Sequence, residues 1–479
     1  MRLNEVIKNA PDIEIKQLSC DSRIPMKDCI FFCLKGIKYD GHNYIDEAIK
    51  NGAKVIIYSD KIDTSLKAIY IKVPNVLNYL IKISNVFYDN PQNKLYSFLV
   101  AGTYGRSCVS SMINDLMSNY KKCASIGVYG INYEDTKLYS IQPALNILDA
   151  QRYLSQFVKS GMETVTLEAN NISFDYRKLD FIKPNVFVYT NTSKEKIARN
   201  EDYVLTIQRY LYTLDSKTKV ILNKDDIAYN DLSKALESHI SYGQNKDADY
   251  VIDDIETTLY NTSFSLTKDG TKYKFNSKLV GMSNLYNSVA AIVAMNVTGY
   301  DLGEISLLFN FTEQRDGIYE KIACSKYNIY VDAAFYRESY ENILKFFKNI
   351  SSCRIISLIS VSATDEKSRL SYLIKVANDY SDQIIVTEDS SYDYDINDTL
   401  NLCEKYVKDK PCLFVEDRQT AIEEGIDLLN DNDIFLVLGK GNEKYMYKGL
   451  VKQNYDGDAN IVRRYLEQID KQKDADDCD

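Results

Sequence analysis

The chain has 479 residues, a mass of 55.0 kDa and a formal net charge of -10, so it exceeds what one hydrophobic core organises and should divide into two or three domains. Hydrophobic residues at 45% and charged residues at 26% exclude a largely disordered chain. The negative balance, with no basic tract interleaved with aromatics, excludes non-specific binding to nucleic acid or to an anionic membrane surface.

The start, Met1-Arg2-Leu3-Asn4-Glu5, lacks the apolar core of a signal peptide, and no window approaches the roughly 20 apolar residues of a membrane span. A cytoplasmic location without membrane insertion is therefore expected. Ten cysteines run from Cys20 to Cys478, and Cys29 and Cys33, the closest pair, have no second Cys or His pair nearby to complete a metal site. They are expected as reduced, mostly buried thiols.

Three zones follow one another. From about residue 1 to 96, the apolar runs Cys29–Leu34, Val55–Tyr58 and Ala68–Ile71 alternate with helix-like stretches such as Ile45–Lys50, which predicts a small α/β unit. From about 97 to 318, buried-strand candidates are Phe98–Val100, Thr164–Leu167, Val186–Tyr189 and Lys219–Leu222. Helical patterns separate them, and this alternation predicts a mainly parallel, doubly wound sheet. The third zone, 319 to 479, repeats the alternation with Ile329–Val331, Ile355–Ile359, Gln383–Val386 and Ile434–Leu438, a second, smaller α/β domain. Residues 470–479 carry charge without an apolar face and are expected to fray.

The segment richest in chemistry is Val100-Ala101-Gly102-Thr103-Tyr104-Gly105-Arg106-Ser107-Cys108, between a buried strand and a helical run from Val109 to Met117. Backbone N–H groups converge in such a turn and a helix N-terminus adds positive potential, so it suits a phosphate. Arg106 stands where a lysine would reach the phosphates, and Ser107 supplies a hydroxyl for magnesium. Taken alone, the same segment reads equally well as a tight strand-to-helix turn without a ligand.

The order of segments from residue 21 to about 458 resembles the Mur ligase family, the MurE type most closely. That family's loop G-T-N-G-K-T-T is similar to Gly102-Thr103-Tyr104-Gly105-Arg106-Ser107-Cys108. Asp21-Ser22-Arg23, Leu34-Lys35-Gly36, Asp40-Gly41-His42 and Ala48–Ala53 resemble the N-terminal domain, which in the family holds the uridine diphosphate end of a UDP-N-acetylmuramoyl peptide. Leu167-Glu168-Ala169-Asn170-Asn171-Ile172 resembles M-E-V-S-S-H, Thr190–Lys196 resembles T-N-L-S-x-D-H, and Leu222–Asp226 the N-x-D-D element whose asparagine contacts adenine. Gly281–Asn287 keeps Asn284 and Asn287 of a G-x-F-N-x-x-N helix start. In the third zone Val331–Phe335, Ser360–Lys367, Asp389–Tyr392, Glu416–Ile422 and Gly439–Glu443 follow the C-terminal domain that receives the amino acid.

The resemblance implies a three-domain fold: a small α/β domain at 1–96, a central doubly wound, mostly parallel P-loop-like domain at 97–318, and a Rossmann-like α/β domain at 319–479. It implies an ATP site at Gly102, Thr103, Gly105, Arg106, Ser107, Asn223, Asp226, Asn284, Arg315 and Asp332. The UDP-sugar site would be Asp21, Ser22, Arg23, Gly36, Asp40, Gly41 and His42, and the amino-acid site Asp389, Tyr392, Gly439 and Glu443. Glu168 and Ser107 are the candidate magnesium ligands.

Several family positions are substituted. Arg106 replaces the loop lysine with a planar fork that is not a point charge, and Tyr104 adds bulk. The chain's two histidines, His42 and His239, leave Ile172, Lys196, Phe335 and Asn442 at the family's histidine positions, with His239 expected in a surface helix. Gln208 falls where a carbamoylated lysine would help hold magnesium. Lys196 is expected either to pair with Glu168 in place of a metal or to point into solvent. Glu168, Lys196 and Arg106 are the catalytic candidates. Asn191, Asn223, Asp226, Arg315, Asp332 and Glu443 also read as caps or turn residues.

The expected function is a MurE-like protein, catalytically inactive or impaired, that binds a UDP-muramoyl peptide or a cell-wall synthesis protein. An active ligase using ATP and magnesium is the first alternative. The second is a structural subunit of a protein assembly, for which the 39 tyrosines offer interface material.

Overall fold

In a computed structural model, which describes residues 1–36, 39–138, 145–193, 203–310, 312, 315–392, 394–449 and 451–476, the short apolar runs at the N-terminus pair as a parallel sheet. Its strands are β1 (Gln17–Ser19), β2 (Cys29–Phe32), β3 (Ala53–Tyr58) and β4 (Ile69–Lys72), adjacent in that order. Asn75 accepts the N–H of Asn78 at 2.9 Å and so starts the helix Val76–Phe87, whose Leu80 and Ile83 bury against the sheet.

The central sheet contains β5 (Tyr96–Ala101), β6 (Cys123–Gly127), β7 (Gly130–Tyr133), β8 (Thr136–Leu138), β9 (Thr164–Ala169) and β10 (Val186–Tyr189). It continues with β11 (Lys219–Asn223), β12 (Ile240–Gly243), β13 (Tyr250–Thr257), β14 (Thr262–Lys268) and β15 (Thr271–Ser277). The order is β15-β14-β13-β12-β11-β10-β5-β9-β6-β7-β8. Strands β13-β12-β11-β10-β5-β9-β6 are parallel, and both ends are extended by antiparallel pairs.

Strand period divides the core in two. Leu99, Phe187 and Leu222 face the helix Ile147–Lys159, whereas Phe98, Val100, Val188 and Ile221 face the helices Arg106–Ser118 and Met282–Val297. This is the doubly wound arrangement expected. The β13–β15 extension is an addition to it. Its tight turn, Asp269-Gly270, has both residues at positive φ (49° and 77°), which matches the twist of the flanking strands.

The third sheet contains β16 (Glu320–Ile322), β17 (Asn328–Asp332), β18 (Ile355–Val361), β19 (Gln383–Glu388), β20 (Cys412–Val415) and β21 (Ile434–Leu438), in the order β16-β17-β21-β18-β19-β20. All pairs are parallel except β16 with β17. A hairpin, β22 (Tyr445–Lys448) and β23 (Val451–Asn454), stands beside it.

The helix Asp458–Asp476 extends into the segment expected to fray. One sequence expectation needs correction. His239 lies in the turn before β12 rather than on a helix, half-buried, with Nε2 2.8 Å from the Tyr229 hydroxyl. The strand carrying Glu168 stops at Ala169, where Asn170 accepts the Ser173 N–H at 3.0 Å and opens a short helix. Among the described residues the cysteines are unpaired thiols, and no helix is long and apolar enough to cross a membrane.

Candidate functional site

The turn between β5 and the helix Arg106–Ser118 is built on two glycines at positive φ. Gly102 (φ +144°) has its missing Cβ 1.9 Å from Thr190 Oγ1, and Gly105 (φ +76°) approaches Asn287 Oδ1 as closely as 2.2 Å. A Gly102→Ala variant should lose about 1–3 kcal/mol of stability through backbone strain and displacement of Thr190, read from urea unfolding. The loop is fixed from outside as well. Asn191 accepts the Tyr104 N–H through Oδ1 at 3.0 Å and donates from Nδ2 to the Tyr104 carbonyl at 2.9 Å, and the Thr103 N–H bonds the Asn191 carbonyl at 2.9 Å.

Arg106 turns back over the loop. Its Nη1 donates to the Gly102 carbonyl at 3.0 Å and the Thr103 carbonyl at 2.6 Å. The guanidinium thus satisfies two carbonyls of its own turn.

Ser107 Oγ donates to Glu168 Oε2 at 2.7 Å, and the Val128 N–H donates to Glu168 Oε1 at 3.2 Å. Burial raises the Glu168 carboxyl above the usual range, opposed by the nearby Arg106 charge and the Ser107 hydrogen bond. A hydroxyl and a desolvated carboxylate this close fit a magnesium ion as donors, and a cation would lower that carboxyl. Lys196, the proposed partner of Glu168, lies outside the described residues. Gln208, on the helix Tyr203–Leu211, donates to the Asp231 carbonyl.

The other expected nucleotide residues are engaged within the protein. Asn223 donates to the Thr190 carbonyl at 3.0 Å and accepts the Asp225 N–H at 3.0 Å. Asp226 accepts the N–H groups of Thr192 (2.8 Å) and Ala228 (3.0 Å), and burial raises its carboxyl. Asn284 donates to the Val280 carbonyl at 2.9 Å. Asp332 accepts the Tyr319 N–H at 2.8 Å. Arg315 forms an ion pair with Asp115, on the helix that leaves the phosphate loop, and burial lowers its pKa.

Across from the loop, the third domain closes a cavity of about 360 Å³. The loop residues Thr103–Cys108 line one side and Asp389, Tyr392, Gly439 and Glu443 the other, so the expected phosphate and amino-acid residues share one cleft. Phe335 and Asn442 line it too. Lys440, almost fully buried, donates to Asp389 (2.6 Å) and Glu443 (3.1 Å). Burial raises the Glu443 carboxyl and Lys440 opposes the shift. Tyr392 is held at φ +53° by backbone hydrogen bonds to Tyr447 and Gly449, and its ring stacks on Tyr447 with centroids 5.5 Å apart.

A second cavity, of about 760 Å³, lies between the first and second domains. From the expected UDP-sugar set it takes Asp21 and Gly36, joined by Lys35, Asn146, Arg152 and Lys178. Ser22, Arg23, Asp40, Gly41 and His42 do not line it. Arg23 pairs with Asp21 at 2.7 Å, and Ser22 bonds Glu47. His42 Nδ1 lies 2.6 Å from Asp40, and its Nε2 accepts the Ser59 N–H at 3.1 Å and the Asp60 N–H at 3.3 Å. Gly41 passes against Cys33, leaving no room for a Cβ.

Sequence reasoning missed Tyr129, Tyr336, Tyr445 and Tyr447 in the cleft and Arg152 and Lys178 in the second cavity. The lysine in Gly439-Lys440-Gly441 was a usable signal, because a lysine between glycines beside a buried strand needs an anionic partner. The tyrosines gave none, being common throughout the chain.

Family models match nearly the whole sequence: the Mur ligase family catalytic domain at residues 14–94, the Mur ligase middle domain at 100–295 and the Mur ligase glutamate ligase domain at 319–441. The UDP-N-acetylmuramoyl-L-alanyl-D-glutamate–2,6-diaminopimelate ligase of Fusobacterium nucleatum is 28% identical over 462 residues, 93% of each chain. The UDP-N-acetylmuramyl-tripeptide synthetase of Borreliella afzelii is 26% identical, covering 98% of this chain and 97% of its own. A solved UDP-N-acetylmuramoyl-L-alanyl-D-glutamate–2,6-diaminopimelate ligase shares the fold at a TM-score of 0.71 and 21% identity, covering 98% and 99% of the two chains. The MurF ligase of Thermotoga maritima in complex with ADP does so at 0.66 and 14%, covering 96% and 98%. With N-terminal, middle and C-terminal domains all matched and sheets arranged as in these structures, the chain belongs to the Mur ligase family and is related to the UDP-N-acetylmuramoyl-peptide ligases.

Proposed function

We propose that the protein binds a UDP-N-acetylmuramoyl peptide in peptidoglycan synthesis, in the cytoplasm, with its ATP-driven ligation step strongly impaired. The observation that carries this reading is the folding of Arg106 onto the carbonyls of Gly102 and Thr103. A guanidinium committed there, with Arg315 committed to Asp115, leaves the described part of the loop poor in cations aimed at a triphosphate, and phosphoryl transfer depends on such charge neutralisation. A separate cavity of about 760 Å³ carries Lys35, Arg152 and Lys178, with Lys35 paired to Asp60 and Arg152 to Asp149, so a diphosphate there would compete with these carboxylates for the cations. The domain limits at residues 96 and 318 and the site sets named from the sequence belong to this proposal.

The second reading, an active ATP- and magnesium-dependent ligase that joins an amino acid to the muramoyl peptide, is favoured by one geometry. Ser107 and Glu168 still stand 2.7 Å apart beside the cleft that holds Asp389 and Glu443. In that case magnesium would be held by Ser107 and Glu168 and would neutralise phosphate charge.

Calorimetry on the purified protein separates the two. The proposed function expects heat on titration with UDP-N-acetylmuramoyl-L-alanyl-D-glutamate, none with ATP and magnesium, and a gain of nucleotide binding in Arg106→Lys. Magnesium-dependent ATP binding by the wild type, with substrate-dependent release of phosphate, would establish the active ligase instead.

A further inference from the structure

Two helices of the second domain close in the same way with different residues. The helix Ile147–Lys159 ends with the Gly161 N–H on the Val158 carbonyl at 3.1 Å and the Met162 N–H on the Phe157 carbonyl at 2.9 Å, and Gly161 sits at φ +72°. The short helix Asn171–Asp175 ends with the Arg177 N–H on the Phe174 carbonyl at 3.0 Å and the Lys178 N–H on the Ser173 carbonyl at 2.9 Å. Arg177 takes the glycine's place there, at φ +53°. An arginine in this left-handed conformation costs free energy that a glycine avoids, so its side chain is carried against the backbone preference.

That side chain borders a cavity of about 580 Å³ between residues 173–180 and the helix Tyr203–Leu211. Arg177 Nε donates to Asp180 Oδ2 at 2.6 Å, and the side chain is half-exposed. Among the described residues this is the guanidinium's one hydrogen bond, which leaves the edge formed by Nη1 and Nη2 for a group from outside. The apolar part of the lining is Phe174, Leu179 and Tyr210. Phe174 and Tyr210 are buried with ring centroids 5.3 Å apart, and the Tyr210 hydroxyl donates to the Ile182 carbonyl at 3.1 Å. Asp175 and Arg209 line the cavity as well. With Asp175 and Asp180 present, a group of one negative charge is received better than a doubly charged phosphate.

We propose that this cavity is a binding site for an organic carboxylate with an apolar or aromatic body. The Nη1–Nη2 edge of Arg177 holds the carboxylate by two parallel bonds, and the body packs on Phe174, Leu179 and Tyr210. No residue lining the phosphate-loop cleft lines this cavity. Tyr176 is shared with the larger cavity between the first and second domains. A ligand here is additional to the UDP-N-acetylmuramoyl peptide and independent of its binding.

Isothermal titration calorimetry of the full chain with 3-phenylpropionate tests the site. The wild type is expected to bind it, and to bind 3-phenylpropanol, which has the same ring without the charge, about tenfold more weakly or worse. Arg177→Gly suits the left-handed backbone, so it should unfold in urea no earlier than the wild type and yet lose binding by a similar factor. Arg152→Met, which alters only the larger cavity, should bind like the wild type. Four results would each overturn the proposal: no binding by the wild type, equal binding of 3-phenylpropanol, equal binding by Arg177→Gly, or loss of binding in Arg152→Met.

Discussion

Replacing Arg418 with methionine is expected to cost about 3–5 kcal/mol of third-domain stability. Arg418 and Asp458 are fully buried and joined by two parallel bonds, Nε to Oδ1 at 2.8 Å and Nη2 to Oδ2 at 2.7 Å. Arg418 also donates to Ser360 and to the Leu438 carbonyl, and the Tyr455 hydroxyl donates to Asp458 at 2.6 Å. Losing the guanidinium leaves the carboxylate buried with one neutral donor. The double variant Arg418→Met, Asp458→Leu should lose less than the single, since no charge then remains in the core. Urea unfolding followed by tyrosine fluorescence checks both, and equal losses would show that packing rather than charge dominates. Because Leu438 precedes Gly439 and Lys440, the same substitution should also loosen the cleft wall.

Asp332→Asn is expected to change how stability depends on pH. Burial raises the Asp332 carboxyl from 3.8 to about 7, with the Tyr319 N–H pulling the other way. The folded protein therefore keeps a proton that the unfolded chain releases, so the native state binds more protons between these values. The contribution is fully present below the unfolded pKa and is lost as pH rises through the folded one. At about 1.4 kcal/mol per pKa unit, the wild type gives up roughly 4 kcal/mol relative to the asparagine variant. Urea unfolding of both proteins from acid to mildly alkaline pH measures this. A constant difference across that range would mean that the carboxyl titrates normally.

Much of the fold was legible because burial on two faces leaves a strong trace in sequence. Val186–Tyr189 and Ile434–Leu438 are uninterrupted apolar runs, and both are buried central strands. The strands of the sheet extension were not read, since Thr262–Lys268 and Thr271–Ser277 are mixed polar segments that gain strand character by pairing with each other. Their turn, Asp269-Gly270, was a signal that went unused.

The site divides along the same line. The sequence by itself determined the loop, since only glycine tolerates both the positive φ and the close approach to Thr190 and Asn287. Tertiary structure decided where the residues around it point. Arg106 is a cation in any reading of the sequence, but the fold turns it onto its own carbonyls. Asn223, Asp226 and Asp332 read equally as ligands or caps, and burial commits them to backbone partners. The encounter of Ser107 with Glu168, 61 residues apart, and of Lys440 with Asp389, 51 apart, follows from strands laid side by side in parallel sheets. A parallel sheet gathers the C-terminal ends of distant strands at one edge, and sequence spacing carries no record of which loops will meet there.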